Sequence, residues 1–263
     1  MRGSYRTLIT LPRPYNDSSS PRAAAGFAAS TTLFENGSSW QTRFIRKFEH
    51  QILQSQGETM YNPDHFSIKN LEVMHKIIQE HPLGVLVTMT PEGLDANHIP
   101  FELNVERGVL TAHVARANPV WQQCRDGADA LVIFRASEGY ISPNWYPSKH
   151  ETHRLVPTWN YEVVHVHGRL TVQDEEKFVR GVVGRLTRTH EASEPKPWKM
   201  GDSDPEFIDG MLKAIVGIEV TIARMEGKAK LSQNREDRDR LHAADELVRQ
   251  GNAELAQAMR KAK

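Results

Sequence analysis

The feature that most constrains this chain is a dense series of strand-like runs separated by short turns. Gly84-Val-Leu-Val-Thr-Met is β-rich, Pro91-Glu-Gly is a turn, and Ala96 to Leu103 follows as a second strand. After Glu106-Arg-Gly108 come Val109-Leu-Thr-Ala-His-Val and then Ala130-Leu-Val-Ile-Phe134. Parallel strands need long crossovers, so strands this close in sequence argue for an antiparallel sheet or barrel and against a βαβ fold. The longest run, Tyr161-Glu-Val-Val-His-Val-His-Gly-Arg-Leu-Thr-Val172, alternates and could cross a barrel.

Helices flank these strands. Leu71, Met74, His75, Ile77 and Ile78 fall at helical spacing, and His81-Pro82 ends that run. Asp174 is placed to cap a helix carrying Phe178, Val182, Val183 and Leu186, a second helix is expected around Pro205 to Ala214, and Ile215 to Thr221 reads as another strand. The expected class is mainly β with flanking helices.

Two segments stand outside this pattern. Residues 1–59 hold Ser/Ala/Gly-rich runs and no sustained apolar period, so they are read as a disordered leader from a start assigned too far upstream, with a targeting segment the less favoured reading. Residues 236–263 read as a charged helical tail, which leaves residues 60–235 as the folded domain.

Lys+Arg and Asp+Glu balance at 33 each, so the chain lacks the broad positive field on which nonspecific nucleic-acid binding depends. A single Cys124 excludes an internal disulfide, and no apolar run is long enough for a membrane-spanning helix. The cytoplasm is the expected compartment.

The residues suggest several chemistries without fixing one. His165 and His167 share a strand face and could supply two metal ligands, with His98 or His113 as a third. Lacking a tight ligand motif, they are read as half-buried hydrogen-bonding residues, and no metal site is assigned. Cys124 beside Arg125 lacks a fixed base and reads as packing. Gly-x-Ser-x-Gly, Walker-type and Gly-x-Gly-x-x-Gly signals are absent. Arg116 follows a strand, and Asn118-Pro119 can start a helix; a cation beside free N–H groups is an anion site, and a surface arginine is the equal alternative. The stretch from Tyr140 to Tyr161 mixes Trp145, Tyr146, Trp159 and Tyr161 with Ser148, Lys149 and Thr152, which suits either a planar phosphorylated ligand or aromatic packing.

Nine ordered words carry a resemblance: Met60-Tyr-Asn-Pro-Asp-His-Phe, His81-Pro-Leu-Gly, Asp95-Ala-Asn-His-Ile-Pro, Ala112-His-Val-Ala-Arg-Ala-Asn-Pro, Ser142-Pro-Asn-Trp-Tyr-Pro-Ser-Lys, Val156-Pro-Thr-Trp-Asn-Tyr, Val166-His-Gly-Arg-Leu, Ile215-Val-Gly-Ile-Glu and Lys230-Leu-Ser-Gln-Asn-Arg. Over residues 60–235 they resemble the PaiB-like family of FMN-binding negative transcriptional regulators. The resemblance implies a split β-barrel of the FMN-binding type, related to pyridoxamine-phosphate oxidases, and a homodimer with FMN at the subunit interface. It implies that Arg116 and Asn118 meet the FMN phosphate, and that Leu86, Val87, Thr88, Asn97, His98 and Pro100 meet the edge of the isoalloxazine ring. Ser148, Lys149 and Trp159 belong to the family's words and are given a cofactor role by their chemistry alone.

The implied function is an FMN-binding regulator that represses gene expression. Two alternatives stay open: a flavin-dependent oxidoreductase acting on a small molecule, and a haem-binding or cofactor-free relative. No catalytic residue is assigned. Direct DNA contact has no helix-turn-helix and no basic excess to support it, and the arginines of the tail are interleaved with acids.

Overall fold

A computed structural model describes residues 60–123 and 127–262. The leader assigned to residues 1–59, and Cys124 with Arg125, lie outside the described residues. Asn70 begins the first helix, α1 (Leu71–Glu80), by accepting a hydrogen bond from the Glu72 N–H at 2.8 Å. Leu71, Met74, Ile77 and Ile78 form its buried face, and the chain leaves the helix at His81, before Pro82. A short strand, β1 (Ser67–Ile68), precedes it.

The hairpin expected next is present as β2 (Leu83–Thr90) and β3 (Gly93–Pro100), with Leu86 opposite Asn97 and Thr90 opposite Gly93. Gly93 takes φ +121°, a conformation open to glycine, and the Thr90 hydroxyl donates to its carbonyl at 2.9 Å. The expected second strand does not continue to Leu103. Pro100 has no N–H, Phe101 turns its side chain into the core while its N–H bonds the Pro82 carbonyl at 2.8 Å, and pairing resumes in β4 (Glu102–Asn104).

The remaining strands are β5 (Val109–Ala115), β6 (Asp129–Ile141), β7 (Thr158–Gln173) and β8 (Ile215–Lys230), all paired antiparallel in the order β3-β2-β6-β7-β8-β5-β4, with β1 on β8. β3 returns against β5, which curls the sheet into a split β-barrel. Alternate residues fill the interior: Leu86, Leu110, Val132, Phe134, Val164, Val166, Leu170, Ile218 and Val220 are fully buried in one core. Short helices α2 (Val120–Gln123) and α3 (Lys149–Thr152) lie in the loops after β5 and β6. The helices α4 (Glu176–His190) and α5 (Pro205–Lys213) pack together ahead of β8.

β8 runs nine residues past the expected end at Thr221. Its register on β7 shifts between His167 and Gly168, which inserts a bulge and bends both long strands. A side chain at Gly168 would press into the Thr221 carbonyl oxygen and the Val220 side chain. Gly168→Ala is therefore expected to cost about 1–3 kcal/mol, as overpacking against a backbone that cannot retreat. Denaturant unfolding checks this, and an unchanged midpoint would show that the bulge relaxes.

The chain beyond residue 236 forms α6 (Asp237–Arg249) and α7 (Ala253–Lys261). They build a second core with the end of β6: Leu247, Leu255 and Met259 pack with Ile141, Tyr146 and Leu231, while Leu241 and Val248 stay exposed. The arginines of these helices pair with acids, Arg238 with Glu151 and Glu236, Arg240 with Asp237, Arg249 with Glu246 and Arg260 with Asp245. Among the described residues no helix is long and apolar enough to cross a membrane.

Candidate functional site

The β2–β3 hairpin divides the expected flavin residues between two faces. Leu86, Thr88 and Asn97 point inward, whereas Val87, His98 and Pro100 point outward. The outward side chains continue across the sheet in register: His98, Val85, Ile133 and His165 form one row, and Ala96, Val87, Leu131 and His167 the next. Half-buried Val85, Val87, Leu131 and Ile133 thus make an apolar strip on the barrel's outer surface, edged by His98.

Polar groups gather where β3 meets the loop after β5. The Asn97 amide donates to Asp95 at 2.8 Å and its carbonyl oxygen accepts from the Asn118 amide at 2.7 Å. Asn118 in turn accepts from the Val120 N–H at 3.0 Å, so it caps the turn after Pro119 as its sequence context implied. On the inner face, Thr88 is buried and its hydroxyl has no hydrogen-bond partner among the described residues. The words containing Asn97 and Asn118, 21 positions apart, are therefore in direct contact.

Arg116 lies beside this pair but is already engaged. Its Nη1 and Nη2 grip the Asp174 carboxylate at 2.9 and 2.6 Å, Nε donates to the Lys213 carbonyl at 2.7 Å, and Nη2 also reaches the Ile215 carbonyl at 3.1 Å. The Trp121 indole N–H donates to the Arg116 carbonyl at 2.9 Å, and the Trp121 ring lies 5.7 Å under the guanidinium. Among the described residues these bonds leave one Nη1 N–H for another acceptor. Asp174 is not the helix cap expected from sequence; the cap position is Glu175, and the Asp174 carboxylate is turned to Arg116 instead.

Ser148, Lys149 and Trp159 lie elsewhere. Tyr140 opposite Trp159 is eight positions along β6 from Val132, which pairs with Leu86, a separation of about 25 Å at roughly 3.3 Å per residue. Ser148 is buried and gives both its N–H and its hydroxyl to Asp239 of α6, at 3.0 and 2.5 Å. Lys149 donates to Asn144, and Trp159 is 54% exposed with its ring edge-on to Tyr140. One copy of the chain does not bring these three to the Asn97–Asn118 contact.

Burial holds the imidazoles of His113, His165 and His167 below their ordinary value of 6.5. His113 also has an Nδ1 with no hydrogen-bond partner among the described residues. As pH falls through 6.5 the unfolded chain takes up this proton before the folded one does, so folding loses stability until pH drops below the folded value. The slope of unfolding free energy against pH on the acid side of neutrality is expected to flatten in His113→Asn. An unaltered slope would mean that His113 titrates normally.

A cluster that the sequence did not close lies on β7 and β8. Glu226 sits directly opposite His165, with Arg224 opposite His167. Neither histidine that could have joined the pair, His98 or His113, is there: His98 is on β3, three strands away, and His113 pairs with the opposite end of β8 at Gly217. The alternation of Arg224, Glu226, Lys228 and Lys230 with Met225, Gly227 and Ala229 was the available signal.

The donor set suits FMN. An apolar strip can take one face of a planar ring, and a guanidinium beside a capped turn matches a phosphate. The family model described as "Putative FMN-binding domain" matches residues 60–224, more than half of the chain. The chain is 29% identical over 200 residues to Protease synthase and sporulation protein PAI 2 of Bacillus subtilis, covering 75% of this chain and 94% of that one. It is 31% identical over 159 residues to an uncharacterized protein of Saccharomyces cerevisiae, covering 52% of this chain and 94% of the relative. Among solved structures, a conserved hypothetical protein of Mycobacterium tuberculosis superposes with a TM-score of 0.49 at 11% identity, over 67% of this chain and 94% of that one. The chain belongs to this FMN-binding domain family, and FMN is its cofactor.

Proposed function

We propose that this chain is a dimeric FMN-binding regulator that represses gene expression in the cytoplasm, with the flavin held on the outer strip of β2, β3 and β6 and its phosphate near Asn118 and Arg116. The observation that carries the site is the half-buried apolar strip of Val85, Val87, Leu131 and Ile133 on the outer face, while the Asn97–Asn118 hydrogen bond on the inner face ties the phosphate turn to the neighbouring strand. Val87, His98 and Pro100 meet the ring from the outer face. Leu86, Thr88 and Asn97 shape the strand from within.

Exposed Leu83, Met89 and Leu94 on the same outer face supply the apolar surface that a second copy would cover. Lys149 and Trp159, remote within one chain, would reach the flavin only from that second copy. Ser148 serves instead as the anchor of Asp239. The regulatory role rests on the likeness to the Bacillus subtilis sporulation protein across 94% of that relative.

Deleting the gene is expected to raise a defined set of transcripts, with wild-type chain restoring repression and a flavin-free variant failing to. An unchanged transcript profile would refute the regulatory role. Rapid bleaching of the bound flavin by NADH or NADPH in that case would move the assignment to a flavin oxidoreductase. Direct DNA binding would appear as a promoter-fragment shift that weakens steeply with salt.

A further inference from the structure

We propose that His165, His167 and Glu226 form a binding site for one divalent transition-metal ion on the outer face of β7 and β8. The three residues come from paired strands in fixed register. His165 faces Glu226 across the ladder, and His167 lies two residues along on the same face. One ligand atom from each falls within 4.8 Å of the others, and His167 Nε2 is 3.7 Å from Glu226 Oε2.

Ligands held at about 2.0–2.2 Å from a tetrahedral ion stand about 3–4 Å from one another. Small rotamer changes therefore close the site without moving the strands. The chemistry selects the ion: two imidazoles and one carboxylate suit Zn²⁺, Co²⁺, Ni²⁺ or Fe²⁺, while Ca²⁺ and Mg²⁺ require more oxygen ligands. Burial also favours the neutral imidazoles that bind metals.

The charges around the cluster divide into help and hindrance. Arg224 donates to Glu226 Oε1, an outer contact that fixes the carboxylate with Oε2 toward His167. Its positive charge, with that of Lys228 on the same face, opposes a cation, so binding depends on all three ligands acting together. Glu226 is only 9% exposed, and an ion at this position would add a second counter-charge to a carboxylate removed from water. Three protein ligands leave at least one coordination position for water or a small molecule.

The test uses the tag-free full chain, stripped with a chelator and titrated with Co²⁺ while the visible d–d absorption is followed, then with Zn²⁺ in competition. Saturation at one ion per chain is expected. The double variant His165→Asn/His167→Asn should lose affinity more than about 100-fold, and Cys124→Ser should bind as wild type does. If the double variant does not fold, Zn²⁺ should protect His165 and His167 of the wild-type chain from diethyl pyrocarbonate, read by peptide mass. Absence of saturable Co²⁺ binding by folded wild type, binding that persists in the double variant, or no protection of these two histidines would overturn the site and leave the cluster a structural ion-pair network.

Discussion

Arg116→Ala is expected to weaken FMN binding about 10- to 100-fold while leaving the barrel folded. A charge-assisted hydrogen bond to a phosphate is worth about 1.5–3 kcal/mol, and each 1.4 kcal/mol is tenfold in affinity. The fold tolerates the loss because Arg116 and Asp174 are both about 40% exposed, so water replaces the carboxylate's partner. The Asp174 carboxylate occupies the guanidinium and competes with a phosphate for the same donors. Asp174→Asn should consequently tighten FMN binding. Fluorescence titration of the two variants reads opposite signs if Arg116 is a phosphate ligand. If it is only a clasp holding Asp174, Lys213 and Ile215 together, both variants lose stability and neither shifts affinity.

The largest stability effect is expected at Asp239. Its carboxylate is 2% exposed and accepts both the N–H and the hydroxyl of Ser148, which ties α6 to the loop after β6. Asp239→Ala strands two buried donors, each at about 1–3 kcal/mol, so a loss of about 3 kcal/mol is expected. The exposed Arg238–Glu151 pair one residue away should be worth no more than about 1 kcal/mol. Denaturant unfolding measures both. Limited proteolysis should then release the C-terminal helices before the barrel is cut. Equal effects of Asp239→Ala and Arg238→Ala would refute the anchoring role.

The barrel strands were legible because their alternation is apolar against polar. β2, β5 and β7 fall within a few residues of the expected runs, and Leu86, Val132, Val164 and Val166 fill the core that alternation implies. Strand ends were missed for identifiable reasons. The second half of β8 alternates charged residues with Met225, Gly227 and Ala229, and small inward residues produce no hydrophobic signal. The tail's burial was hidden in the same way: Ala243, Ala244 and Ala256 complete its packed face, and alanines among charges resemble a solvated helix.

For the candidate site, sequence placed Asn118 as a capping residue near Arg116, and family resemblance placed Asn97 near the flavin. Neither could show that the two side chains meet, because that contact depends on β3 closing against β5. Asp174 was missed as the partner of Arg116 for a similar reason. Fifty-eight residues separate them, and an acid ahead of a helix has a ready local explanation. Glu226 joins His165 and His167 only through the long β7–β8 register, which a strand ending at Thr221 would not have reached.

Titration of the folded, full chain with FMN tests most directly whether this surface binds the cofactor. With oligomeric state fixed by light scattering and flavin fluorescence followed to saturation, one FMN per chain is expected, with affinity lowered in both Arg116→Ala and Asn118→Ala. A folded dimer that takes up no FMN, or that binds it equally well in both variants, would contradict the account.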